Sequence, residues 1–299
     1  MFVKIFIAFA MLGLLVAGVS FAATDVDHLS LVTTPILVFS NGHCISQGTG
    51  FFYAAKLHNK YATFLVTNYH VLTGHSPLSV GKIRGDAIKF FIHCDEQDPA
   101  KSKEISLPLF SSHKEPIWLT DINSPEADLA AIPLPLDILQ NCRMSAISSE
   151  WTKGDIRVRP GSPVTVIGYP LGYYDHINCL PIWKAGNIAS EPKVNFQGKP
   201  AFMIDIAGFE GMSGSPVFAI AYGTYEMESD EKLINAGTVR KFLGIYTGMW
   251  AENGQELVGY VWKADLIDEL IKSVDLDKYE ARVGDYRKPA PTRSPRLLK

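Results

Sequence analysis

The feature that most constrains this chain is a succession of short, β-prone runs broken by turn clusters. Leu31–Phe39, Thr49–Ala54, Tyr61–Thr67, Ala87–Ile92, Ala127–Leu134, Pro163–Tyr169, Ala201–Ile206, Pro216–Ile220, Lys241–Thr247 and Leu257–Trp262 are rich in Val, Ile, Phe, Tyr and Thr. Such side chains suit the pleated, half-buried surface of a sheet. Asn41-Gly42, Pro160-Gly161-Ser162 and Asn253-Gly254 supply the backbone conformations that turns require. Only Ala264–Val274 carries a helical pattern, with Leu266, Ile267, Leu270 and Ile271 on one face. These runs predict an all-β fold with a terminal helix. Many strands leave many edges, and closing the sheets removes them, so two closed antiparallel barrels are expected.

The 299 residues are 47% hydrophobic and 20% charged, enough for one or two globular domains with their own cores. A net charge of −3 argues against nucleic-acid binding, which needs a basic face. No phosphate-cradling glycine loop and no Cys-x-x-Cys or His-x-x-x-His spacing occurs, so neither a metal nor a cofactor is expected. Lys4, the apolar run from Ile5 to Val19 and the small residues Ser20 and Ala22 read as a signal peptide over 1–22. The run is short for a span of about 20 residues. The mature chain is therefore expected to be exported, periplasmic or secreted, with no stable membrane insertion. Cys44, Cys94, Cys142 and Cys179 all lie beyond the leader. An even count in an exported chain points to disulfides, and all three pairings stay open. The polar stretch Asn141 to Arg159 divides a β half over 23–145 from a second over 146–275, which includes the helix. Residues 276–299, with Arg287, Lys288, Arg293, Arg296 and Lys299 among prolines, read as a basic, disordered tail.

Three segments carry chemistry. His70 ends the strand Phe64-Leu65-Val66 within Thr67-Asn68-Tyr69-His70-Val71, and an imidazole on a rigid base takes and returns a proton near neutrality. Asp128 opens the apolar run Leu129-Ala130-Ala131-Ile132. A carboxylate is costly to bury without a partner, and a histidine is one such partner. Ser213 lies in Gly211-Met212-Ser213-Gly214-Ser215-Pro216. The flanking glycines let backbone N–H groups converge on an oxyanion beside an exposed hydroxyl.

These segments together resemble the trypsin-like, chymotrypsin-fold serine proteases, in a bacterial-type exported form. Gly48-Thr49-Gly50-Phe51-Phe52 and Leu65 to Val71 resemble that family's first barrel. Asp128-Leu129-Ala130 resembles its acid motif, and Gly211-x-Ser213-Gly214-Ser215-Pro216 its nucleophile loop. Gly168-Tyr169-Pro170, Gly186-Asn187-Ile188 and Gly244-Ile245-Tyr246-Thr247-Gly248 resemble further family segments. The order His, Asp, Ser agrees too, and the resemblance spans roughly Leu31 to Leu270.

The resemblance implies two six-stranded antiparallel β-barrels with the active site between them. It implies His70, Asp128 and Ser213 as catalytic residues and the N–H groups of Gly211 and Ser213 as the oxyanion hole. Thr247 falls where a hydroxyl steadies the acid. The substrate, a peptide or protein, adds as a strand along Gly244–Met249, with Ala207 and Gly208 at the pocket floor, Tyr246 on a wall, and Thr247 and Gly248 beside it. No acid stands at the floor, so an uncharged side chain is expected, with Asp205 and Glu210 near enough to change that. Ser215 replaces a glycine, Met212 stands where many relatives are polar, and no Ile-Val-Gly-Gly start is present. Activation by a new N-terminus is therefore not expected, nor is a following peptide-binding domain. Rival readings are a catalytically inactive trypsin-like peptide-binding module and a small-acyl esterase. The Gly-x-Ser-x-Gly elbow and βα alternation of the α/β-hydrolases are missing.

Overall fold

The computed structural model describes residues 26–273, apart from 58–59, 96–97, 122, 136, 141, 143, 230–231 and 253–254. The leader read over 1–22, the tail read over 276–299 and the last predicted helical residue, Val274, lie outside the described residues. A single turn, α1 (His28–Leu31), opens the described chain. The first sheet contains β1 (Thr33–Ser40), β2 (His43–Leu57), β3 (Lys60–Thr67), β4 (Ala87–His93), β5 (Ser102–Pro108) and β6 (Ala130–Leu134). Its order is β5-β4-β1-β2-β3-β6. The second contains β7 (Pro163–Gly168), β8 (Ile182–Ile188), β9 (Ala201–Asp205), β10 (Pro216–Glu226), β11 (Lys232–Glu252) and β12 (Gln255–Lys263). It closes in the order β10-β11-β12-β9-β8-β7.

The fold is thus the expected pair of six-stranded antiparallel sheets, with a difference in closure. Only the second sheet closes strand to strand. In the first, the chain after β5 folds back between the two edges. Ile117 N donates to Leu109 O at 3.1 Å, and Leu119 and Ala131 exchange N–H···O bonds of 2.8 and 3.1 Å. Isolated bridges, Phe110 with Pro116 just past β5 and Leu119 with Ala131 of β6, therefore stand where a ladder was expected.

Side-chain alternation on β2 divides the core. Phe51 and Tyr53 face a core shared by both sheets, while Phe52 faces the first sheet's own core with Ile36, Leu65 and Phe90. That is the period of two expected of a strand buried on both faces. The shared core also takes Phe218 and Phe242, and Ile267 and Leu270 of α3 (Asp265–Lys272) close it. Tyr53 Oη donates to Asp268 Oδ1 at 2.7 Å, tying α3 to β2. Burial, then Asp268, holds the Tyr53 phenol far above its ordinary pKa, so it remains a donor. A third core fills the second barrel with Val166, Phe202, Val217, Tyr246 and Val261.

Cys94 and Cys142 form a disulfide, whereas Cys44 is an exposed thiol and Cys179 a buried one. The open pairing thus resolves to one bridge. His93, beside that bridge, is buried, with Nδ1 3.1 Å from Pro99 O. Burial outweighs its backbone hydrogen bonds and lowers its pKa.

Ile267→Ala is expected to destabilise the protein by about 2–5 kcal/mol, measured by urea unfolding. His93 binds its proton less readily in the folded state than in the unfolded one. Its contribution to stability is therefore present above the unfolded pKa of about 6.5 and is lost as pH falls below it. Unfolding free energies at pH 7.5 and 5.5 should differ less in His93→Gln than in the parent.

Candidate active site

His70 does not end a strand, as the sequence had suggested. It sits in a one-turn helix, α2 (Tyr69–Thr73), directly after β3. Both ends of this turn are held. Asn68 Nδ2 donates to Asp128 O at 2.6 Å, and Gly74 N, with φ +83°, donates to His70 O at 2.8 Å. Asp128 lies two residues before β6. Its Oδ1 accepts from His70 N at 2.9 Å. Its Oδ2 faces His70 Nδ1 at 2.5 Å and accepts from Thr247 Oγ1 at 2.6 Å. With the Nδ1 proton directed at a carboxylate, Nε2 of the neutral ring is the acceptor.

Ser213 joins the cluster through the same threonine. Its Oγ donates to Thr247 O at 3.1 Å, so Thr247 links the acid through its hydroxyl and the serine through its carbonyl. In this geometry the hydroxyl bonds Thr247 and not the imidazole. His70 follows β3 of the first sheet and Thr247 lies on β11 of the second, so the cluster straddles their junction.

The loop around Ser213 is built to aim N–H groups. Glu210 O accepts from Leu171 N at 2.6 Å. Met212 O accepts from Ser215 N at 3.0 Å and from Ser215 Oγ at 2.6 Å. No peptide bond among the described residues is cis, and across a trans peptide the N–H points opposite to the C=O. Anchoring those two carbonyls therefore directs the N–H groups of Gly211 and Ser213 the other way, and neither finds an acceptor among the described residues. Thr49 of β2 holds the remaining carbonyls. Its Oγ1 donates to Gly211 O at 2.8 Å and its N donates to Ser213 O at 2.8 Å. The same Oγ1 accepts from Tyr169 N at 3.0 Å, and Thr49 O accepts from Thr67 Oγ1 at 2.7 Å. Gly211 and Gly214 adopt φ of +87° and +92°, and a Cβ on Gly214 would run into Thr49 O. Glycine is required there on both counts.

A model of the trypsin-like peptidase domain matches residues 48–224. The chain belongs to that family. No curated protein matches it. Among solved structures, it is similar to a serine endoprotease from Yersinia pestis, at 13% identity over 86% of this chain and 64% of that one, with a TM-score of 0.46. The chain thus spans less than two thirds of that protein's length. It is also similar to a thermostable serine protease, AL20, from an extremophilic microorganism, at 12% identity over 82% of this chain and 97% of that one, TM-score 0.46. An inactivated protease paralogue of the scabies mite shares 16% identity over 83% of this chain and 97% of that one, TM-score 0.42.

Two departures of this trypsin-like peptidase from its family's pattern have a structural meaning. Ser215 is fully buried, and its hydroxyl holds the Met212 carbonyl, a bond no glycine could make. Met212 is fully buried among Val166, Val217 and Tyr246 in the second barrel's core. The loop is therefore anchored by an apolar side chain.

The residues carried over for substrate selection surround a filled space. Ala207 is exposed and Gly208 half-buried. A Cβ on Gly208 would run into Tyr246 Oη and lie 2.6 Å from Met249 Sδ, and one on Gly259 would lie 2.8 Å from Tyr246 Cε2. The Tyr246 ring thus lies between Gly208 and Gly259, with the Met249 thioether against Gly208. Gly248, with φ +140°, continues β11 beside Thr247. Asp205 and Glu210 are exposed. Among the described residues, no cluster of three or more His, Cys, Asp or Glu side chains is arranged to hold a metal, and no helix is long and apolar enough to cross a membrane. Leu171 and the clamping role of Thr49 escaped sequence reasoning, and Met249 was named only as the end of the substrate strand. The one available signal was the placement of Thr49 between two glycines.

Thr49→Val would keep the shape and strand the Gly211 carbonyl and Tyr169 N–H. A loss of about 1–3 kcal/mol is expected, measured by thermal unfolding.

Proposed function

We propose that this trypsin-like peptidase is a serine endopeptidase that works through His70, Asp128 and Ser213. The observation that carries the proposal is the hydrogen-bonded chain His70–Asp128–Thr247–Ser213 beside two free N–H groups. A turn about the Ser213 Cα–Cβ bond moves Oγ from Thr247 O toward His70 Nε2. His70 then accepts the hydroxyl proton as Oγ attacks the peptide carbonyl, and Asp128 stabilises the imidazolium that forms. The N–H groups of Gly211 and Ser213 receive the negative charge on the carbonyl oxygen, each typically worth about 10²–10³ in rate. His70 returns the proton to the leaving amine, and water repeats the cycle on the acyl-enzyme.

The acyl part of the substrate adds as an extended strand along Gly244–Met249, where main-chain hydrogen bonds give affinity and pockets give preference. Tyr246 and Met249 fill the pocket beneath its first side chain, so small, uncharged residues fit and large or charged ones do not. This narrows the uncharged preference expected from the missing acid.

Treatment with a fluorophosphonate should give one adduct, mapped to Ser213 by mass spectrometry and lost in His70→Ala. Turnover should fall by about 10⁴–10⁶ in Ser213→Ala. Folded protein that takes no label would instead favour a peptide-binding module that does not cut. Among peptides differing only at the residue before the cut, Ala or Ser should exceed Phe or Lys by at least about tenfold in kcat/KM. Tyr246→Val should raise the rate for Phe.

A further inference from the structure

We propose that a groove beside His70 binds the part of the substrate on the leaving-amine side of the cut and selects an acidic side chain there through Lys82 and Arg84. This rests on the endopeptidase reading. The groove has a cavity of about 920 Å³, and neither the mechanism nor the acyl-side pocket uses it.

Its position follows from chain continuity with the site. Its floor is Val71–Gly74, which begins one residue after His70. Its near wall includes Ile45 and Ser46 of β2, immediately upstream of Gln47 and Gly48. A Cβ on Gly48 would lie 2.6 Å from Val71 Cγ1 and 3.3 Å from Ser213 O. Floor and wall therefore converge beside the Ser213 carbonyl, one residue from His70. The acyl part of the substrate lies on the second barrel, along β11. The leaving amine takes its proton from His70, so the chain that follows it departs over the first sheet, where the groove opens.

The lining sets the chemistry. Val71, Leu72 and Ile83 give an apolar floor, and Ile45 is 46% exposed at the rim. The loop after α2 brings Lys82 and Arg84 to the far wall. Both are exposed, and neither makes an ion pair among the described residues. The carboxylate in the lining is Asp86, and its Oδ2 is engaged by Asn41 N at 2.7 Å in the β1–β2 turn. His75 lies against Gly81, where a Cβ would come within 2.7 Å of the ring. This contact draws the loop carrying the two cations toward α2. A peptide with an apolar residue and then Asp or Glu after the cut matches an apolar floor ending in two cations that make no ion pair among the described residues, against one carboxylate. Both cations are solvated, so the gain per ion pair is modest and depends on salt.

The test uses the full chain and three peptides with the same acyl side, carrying Glu, Gln or Lys at the second residue after the cut. In kcat/KM at low ionic strength, Glu should exceed Gln by about fivefold, and Lys should be poorest. The preference should shrink as salt is added. In Lys82→Gln/Arg84→Gln the ratio of Glu to Gln should fall to about one. That ratio is internally controlled against a general loss of activity. Equal rates for Glu and Gln in the parent, or a preference that survives in the double variant, would overturn the proposal. The same comparison made as peptide binding to Ser213→Ala, by fluorescence polarisation, needs no chemistry. Absent cleavage and absent labelling would count against the endopeptidase reading, while the ratio of binding constants still decides the groove.

Discussion

Thr49 is fully buried at the junction of the two sheets, and of four hydrogen bonds two hold the loop around Ser213, one receives Tyr169 N after β7, and one braces its strand through Thr67. Three of the partners are backbone groups that would be costly to leave unsatisfied away from water, and the fourth is the Thr67 hydroxyl. Two of them are the carbonyls of Gly211 and Ser213. With these held against β2 and the Glu210 and Met212 carbonyls held by Leu171 and Ser215, every peptide of the loop has a fixed orientation. The free N–H groups are what remains once all the carbonyls are engaged. N–H groups aimed in this way need no ligand to organise them, and such preorganisation is what the proposed oxyanion role requires.

The cluster of His70, Asp128, Thr247 and Ser213 depends on the same junction. His70 in α2 and Asp128 just before β6 are carried by the first sheet, while Thr247 on β11 and Ser213 in the loop before β10 are carried by the second. Asp128 receives a backbone N–H, an imidazole and a hydroxyl, so its orientation is set from both sides. The shared core of Phe51, Phe218, Phe242 and α3 keeps the sheets in register. Tight interiors transmit small displacements, so the geometry of the cluster is a property of how the two halves pack. Met212 contributes in the same way, by burying an apolar anchor under the loop.

Much of the fold was legible because its strands are apolar on at least one face. All ten predicted strand runs fall on observed strands. β5 was missed because Ser102, Lys103, Glu104, Ser106 and Pro108 dilute its two buried residues, Ile105 and Leu107. β8 was visible only at its Gly186-Asn187-Ile188 end, since most of it is half-buried or exposed. The incomplete closure of the first sheet was not legible either. It depends on where the chain between β5 and β6 folds back, and no local propensity encodes that. His70 was placed one element early, because a single helical turn is too short to produce a periodic signal.

The sequence by itself determined the β-rich class, the terminal helix and the ordered residues His70, Asp128 and Ser213. Those are set by local side-chain chemistry and by glycines whose backbone angles other residues resist. Tertiary structure alone decided which thiols pair, how the carbonyls around Ser213 are engaged, and that Tyr246 and Met249 fill the space beside Gly208. It also decided that Lys82 and Arg84 line one groove with Val71–Gly74. Each of these is a contact between groups far apart in the chain, and its existence depends on packing that no single segment specifies.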